Sequence, residues 1–272
     1  MTPLNKKRLY QYFILTGILL GSIVLFLLYF INYSLIVKAF AEYEGALEVV
    51  LTISLRIVLL SIISIYLFNK WFKQEAQYLS DIPFLLGLFF LILLFGKAID
   101  LLWDLTFFTF NDDLVLLFLK FRFFIIIFEV APLIFIGFEI IFFRIEDRFS
   151  KLKDKMFMNK LRMILITLIV GLESFVVIIA PNNTAMGMLL PYIVIPSLLG
   201  IVYIFFLAYR LNRLSVVKPG ILTIGFLLYL ISNIFRPLMQ NILGEVAAYI
   251  IIAESVDIFV FIIIFLGLYK KY

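Results

Sequence analysis

The sequence predicts an all-α integral membrane protein, a bundle of eight transmembrane helices with both termini in the cytoplasm. Three observations lead there. The 272-residue chain is 65% hydrophobic and 15% charged, well beyond the apolar fraction of about half that soluble domains carry. Its apolar runs are long enough for a bilayer core of about 30 Å, which takes about 20 helical residues. The segments between those runs alternate in charge, as the bias of Lys and Arg toward cytoplasmic loops requires.

Taken in order, the first apolar segment covers residues 9–37 and follows the basic start Asn5-Lys6-Lys7-Arg8. It is too long for a signal sequence, whose apolar region is about 7 to 15 residues, so it reads as one uncleaved spanning helix. The second span covers 47–68 and carries Arg56. Pro83 opens the third, a position in the first helical turn that proline tolerates. The fourth, 114–143, holds Lys120, Arg122 and Glu129 and is interrupted by Pro132. The fifth, 163–180, carries Glu173, and the sixth, 188–209, contains Pro191 and Pro196. The seventh, 219–239, ends with Arg236-Pro237. The eighth, 245–269, carries Glu254 and Asp257.

With both termini inside, the inner segments are NKKR, NKWFK, the loop 144–162, YRLNRLSVVK and KKY, all rich in Lys or Arg. The outer loops are AEYEG, TFNDD, PNNTAMG and QNILGE. Merging or losing one helix would place a basic loop outside, which supports eight crossings and a location in the cell membrane. Asn182-Asn183-Thr184 is also a glycosylation triplet in an outer loop. No linker or low-complexity tract divides the chain, so residues 1–272 read as one membrane domain. Two four-helix halves, about 1–143 and 161–272, have the same orientation. Gly87 to Lys97 resembles Gly225 to Arg236, an apolar run ending in a base, which is the form a parallel repeat would take.

Several functions are set aside by composition. The net charge of +5 follows from the loop bias and does not indicate nucleic acid. Absence of Cys and His removes thiol chemistry, the usual zinc ligands and the commonest general base. No metal site, cofactor or catalytic residue is predicted. The chain shows no HExxH, GxSxG or EExxxR arrangement, and Asp100 and Asp104, spaced DxxxD, sit beside Lys97 as an ion-pair stripe.

What remains is charge inside the membrane, which costs about 2.5 to 3.5 kcal/mol per residue at mid-span on insertion scales and normally faces a protein interior or watery cavity. Lys97, Asp100 and Asp104 share one face of the third span because offsets of three and seven return to the same side of a helix. At about 1.5 Å of rise per residue, Arg56, Glu173 and Arg236 lie at a similar outer level, and Arg122, Glu129, Glu254 and Asp257 between the outer boundary and about the midplane. These ten residues, Arg56, Lys97, Asp100, Asp104, Arg122, Glu129, Glu173, Arg236, Glu254 and Asp257, are the candidate ligand- or ion-binding set, with Trp103 and Tyr249 as walls. The competing expectation is a set of structural ion pairs that only fix helix packing.

Three functions are open on this basis. The first is a small-molecule or ion transporter working from an outward-facing cavity. The second is a receptor that senses an outside ligand and signals through a separate cytoplasmic partner. The third is a carboxylate-based lipid-modifying enzyme. Besides the bilayer, the predicted contacts are a ligand from the outer side and a cytoplasmic partner or anionic lipid at loop 144–162.

Overall fold

The computed structural model describes residues 3–106, 112–145, 149, 154–212, 214, 217–244 and 246–269. Within them the chain is helical, with no strand: α1 (Pro3–Ile31), α2 (Tyr33–Glu42), α3 (Ala46–Phe72), α4 (Ile82–Thr106), α5 (Asp112–Ile145), α6 (Lys155–Ile179), α7 (Asn183–Arg210), α8 (Pro219–Leu243) and α9 (Ala247–Leu268). Seven of these are long and apolar enough to cross a membrane: α1, α3, α4, α5, α6, α8 and α9. The remaining long helix, α7, has 28 residues and a described apolar stretch at Ile195–Arg210.

Six helices close on themselves. α3 packs on α4, α4 on α5, α5 on α7, α7 on α8, α8 on α9, and α9 back on α3. Outside this ring, α1 and α2 lie against α4, and α6 lies against α5. The long apolar side chains of α1, among them Phe13, Leu19 and Phe26, are exposed, which is the face that lipid covers.

One half of the ring's interior is solid. Phe89, Phe90, Phe205, Phe226 and Phe261 are fully buried within a continuous apolar cluster built from α3, α4, α5, α7, α8 and α9. Phe205 and Phe226 stack at 5.1 Å, and Phe90 meets Phe261 edge-on at 6.1 Å. Aromatic pairs in these geometries add about 0.5–1.5 kcal/mol each beyond the area they bury. Trp71 caps this half, its indole N–H donating to Tyr78 O at 3.1 Å and Asp81 Oδ2 at 3.0 Å.

Local chemistry sets the helix boundaries. Asp154 caps α6 by accepting from Met156 N at 2.9 Å, and Asn182 caps α7 by accepting from Ala185 N at 2.8 Å, each satisfying a first-turn N–H that has no partner in the helix. Gly45, at φ 85°, turns α2 into α3 in the left-handed region that glycine enters freely. A Cβ there would also come within 2.6 Å of Ala247 Cβ.

Three expectations are corrected. The segment 9–37 is not one helix: it breaks at Asn32, and α2 is a separate short helix. The apolar pattern runs through the break, where the Asn32 side-chain amide, at 2.8 Å, shares Leu28 O with the Asn32 backbone N–H, at 3.2 Å, the local side-chain bonding that makes Asn a poor residue for a helix interior. The loop 144–162 is helical at both ends, since α5 runs to Ile145 and α6 starts at Lys155. Arg162, read as a loop charge, is buried, paired with Glu139 at 3.0 Å and placed over the Phe135 ring at 4.5 Å. Asp112 and Asp113, read as a turn, belong to α5. Residues 146–148 and 150–153 of the basic loop, together with Asn111, Arg213, Glu245 and the KKY tail, lie outside the described residues.

The α8–α9 seam depends on small residues. A Cβ on Gly225 would sit 2.6 Å from Ile264 Cγ1, and one on Gly267 would sit 2.8 Å from Leu222 Cδ2 and 3.1 Å from the Leu222 backbone nitrogen. Gly267→Val is therefore expected to lower stability by about 1–3 kcal/mol, the usual range for overpacking. The check is the unfolding free energy in detergent; a change within about 0.5 kcal/mol, ordinary for an uncrowded surface position, would show that the seam has slack.

Candidate functional site: an ionic cavity inside the ring

The other half of the ring is hollow. A cavity of about 490 Å³ receives side chains from all six ring helices, with Leu93, Val130, Leu198 and Tyr229 of the apolar cluster as part of its wall. Helical periodicity explains how each element reaches it. On α4, Leu93, Lys97, Asp100 and Asp104 follow one another at offsets of four, seven and eleven, a single stripe at about 3.6 residues per turn. On α8 the same spacing joins Tyr229, Asn233, Arg236 and Gln240. On α9, Glu254 and Asp257 are three residues apart and buried.

Ion pairs run through the wall as one chain. The Arg56 guanidinium on α3 meets Glu254 at 2.6 Å and Asp257 at 2.7 Å. Arg236 on α8 meets the same two carboxylates at 3.1 and 2.5 Å. Lys97 on α4 bridges Glu254 at 2.8 Å and Asp100 at 3.1 Å. Arg122 on α5 closes on Asp100 at 2.9 Å. The Ser232 hydroxyl adds a hydrogen bond to Asp257 Oδ1 at 2.6 Å, and Arg56 lies over the Phe261 ring at 5.0 Å. Each of Arg56, Lys97 and Arg236 thus holds two carboxylates at once. Dense pairing of this kind offsets the desolvation that isolated buried charges could not bear.

Nine of the ten residues singled out by depth line this cavity: Arg56, Lys97, Asp100, Asp104, Arg122, Glu129, Arg236, Glu254 and Asp257. The tenth, Glu173, does not. It is half-buried on α6, which packs against α5 outside the ring, so the right depth along its own helix does not bring it inward. Trp103 and Tyr249 both form wall, with Arg122 over the Trp103 ring at 5.7 Å. Lys120 is turned the other way, donating to Ile178 O on α6 at 2.9 Å.

Two carboxylates stand apart from the chain. Glu129, only 6% exposed, and the less buried Asp104 both line the cavity and make no hydrogen bond or ion pair among the described residues. Ser232, Asn233 and Tyr229 escape a search for charge because they carry none. Their membership of the Arg236 face, at offsets of four, three and seven, is the signal that would have found them.

No family profile matches the chain, and neither a curated protein nor a solved structure does. Its class therefore rests on its own architecture, a multi-pass helical membrane bundle whose ring encloses an ionic cavity.

Proposed function

We propose that the protein is a small-solute transporter with eight spans, α7 being the eighth, cytoplasmic termini, and the cavity open to the outside of the cell membrane. The observation that carries this reading is the cavity of about 490 Å³ with its continuous ion-pair chain. Its volume falls in the range of about 300–1,000 Å³ typical of small-molecule sites. Ionisable groups within a membrane domain most often mark substrate or ion pathways.

The form of the chain favours movement over simple anchoring. Since Arg56, Lys97 and Arg236 each hold two carboxylates, a helix can shift and give up one contact without leaving a buried charge alone. Discrete alternative pairings are how packed elements support two states. The ring order is compatible with a parallel repeat of the halves 1–143 and 161–272, with α3, α4 and α5 in the places of α7, α8 and α9. Lys97 and Arg236, the bases that end the two similar runs, converge on one oxygen of Glu254. Parallel repeats of this sort occur among transporters, with substrate held near the midplane between them.

Uptake by proteoliposomes tests the reading directly. Wild-type protein is expected to move at least one class in a panel of cationic, neutral and anionic solutes. Ala253→Trp, which fills the α9 wall of the cavity, is expected to reduce that uptake at least tenfold with no loss of folded protein. A second reading, a receptor, is favoured by the solid apolar half of the ring, which offers a solute no way through. Solute binding without flux in either direction would select it, with loop 144–162 as the contact for a cytoplasmic partner or anionic lipid.

A further inference from the structure

Glu129 is the group that the ion-pair chain does not explain. It comes from the middle of α5, is nine-tenths buried, lines the cavity, and makes no hydrogen bond or contact ion pair among the described residues. A carboxylate in that position either loses its charge or meets one brought from outside, since an isolated buried ion is strongly unfavourable. With Glu129 and Asp104 both ionised, the wall formed by the described residues is one positive charge short. Arg56, Lys97, Arg122 and Arg236 face five carboxylates, three of them in the chain and the other two being Glu129 and Asp104.

We infer that Glu129 receives the cationic group of an organic solute carrying a single positive charge on an apolar body. This deepens the transporter reading and rests on the cavity being a solute site. Beside Glu129 on α5, Ile125, Ile126 and Val130 present hydrocarbon to the same space, a surface suited to the body of such a molecule. Tyr229 and Tyr249 supply aromatic rings in the wall, whose faces attract ammonium groups. A bare metal ion fits poorly. Among the described residues no three acidic groups are placed to hold one together, and the space far exceeds an ion with oxygen ligands at about 2.0–2.6 Å. An anion would meet Glu129 and Asp104, the two carboxylates outside the ion-pair chain.

The test uses three probes of nearly equal size and shape, 3-phenylpropylamine, 3-phenylpropanol and 3-phenylpropanoate, titrated calorimetrically into the full chain in nanodiscs at neutral pH. The amine is expected to bind at least tenfold more tightly than the alcohol or the acid. Glu129→Gln, which keeps the shape of the side chain, is expected to erase that preference and leave amine and alcohol alike. Equal binding of all three to the wild type, or preference for the acid, overturns the inference while leaving a solute-binding cavity in place. No binding of any probe overturns the inference and the cavity reading together. The wild-type preference is measured without any variant, so a poorly folded Glu129→Gln protein does not remove the test.

Discussion

Replacing Glu254 with glutamine is expected to destabilise the fold by about 3–5 kcal/mol, the range for breaking a buried ion pair by removal of one partner. Glu254 is 1% exposed and contacts Arg56, Lys97 and Arg236 together. Its loss leaves four cations in the chain with only Asp100 and Asp257 to answer them. Arg56→Met is expected to do less harm, since it leaves Lys97, Arg122 and Arg236 matched by Asp100, Glu254 and Asp257.

The pair of changes separates charge from packing. In the double variant Arg56→Met with Glu254→Gln, Lys97 keeps Asp100 at 3.1 Å and Arg236 keeps Asp257 at 2.5 Å, so the cations that had met Glu254 retain partners. Its loss of stability is expected to fall short of the sum of the two single losses by about 0.5–3 kcal/mol, the coupling found between contacting residues of one ion-pair network. Unfolding in mixed micelles with all four proteins, wild type included, gives that number. Strict additivity would mean that the two side chains do not communicate and that the chain of ion pairs is incidental to the fold.

How much of this was open to the sequence depends on which coordinate a residue had to declare. Depth was legible: with span boundaries placed, a rise of about 1.5 Å per residue positions Arg56, Lys97 and Glu254 at compatible levels. Facing was legible where several polar residues share an element. The offsets of three and seven that join Lys97, Asp100 and Asp104 reappear as one stripe of α4 on the cavity wall. A lone charge declares no neighbour. Glu173 has a sensible depth, but nothing in its own helix tells that α6 packs outside the ring on α5. Hydropathy was equally silent about Asn32, because one amide in a long apolar run scarcely alters the average, yet α1 stops at Ile31 and α2 begins at Tyr33 on either side of it. Arg162 was lost among the loop charges around it. Its place depends on Glu139 and Phe135, more than twenty residues away on another helix.

Because the chain contains no cysteine, single cysteines can map the two halves of the ring against each other. Cysteine at Asn233 or Ile250, both in the cavity wall, is expected to react with a charged, membrane-impermeant thiol reagent. At Phe226 or Phe261, both fully buried in the apolar half, a thiolate and its reagent would have to give up water without compensation. That costs at least about 2–3 kcal/mol, so labelling there is expected to be slower by on the order of a hundredfold. Phe226 and Asn233 lie on one helix seven residues apart, about 10 Å along its axis. The contrast therefore reads the boundary between hollow and solid and not a difference between helices. In sealed vesicles of known orientation, positions 233 and 250 are expected to label faster from the outside than from the cytoplasmic side. Faster labelling from the cytoplasmic side, or equal rates at positions 226 and 233, would contradict a wet cavity facing outward, whatever the ion pairs contribute to stability.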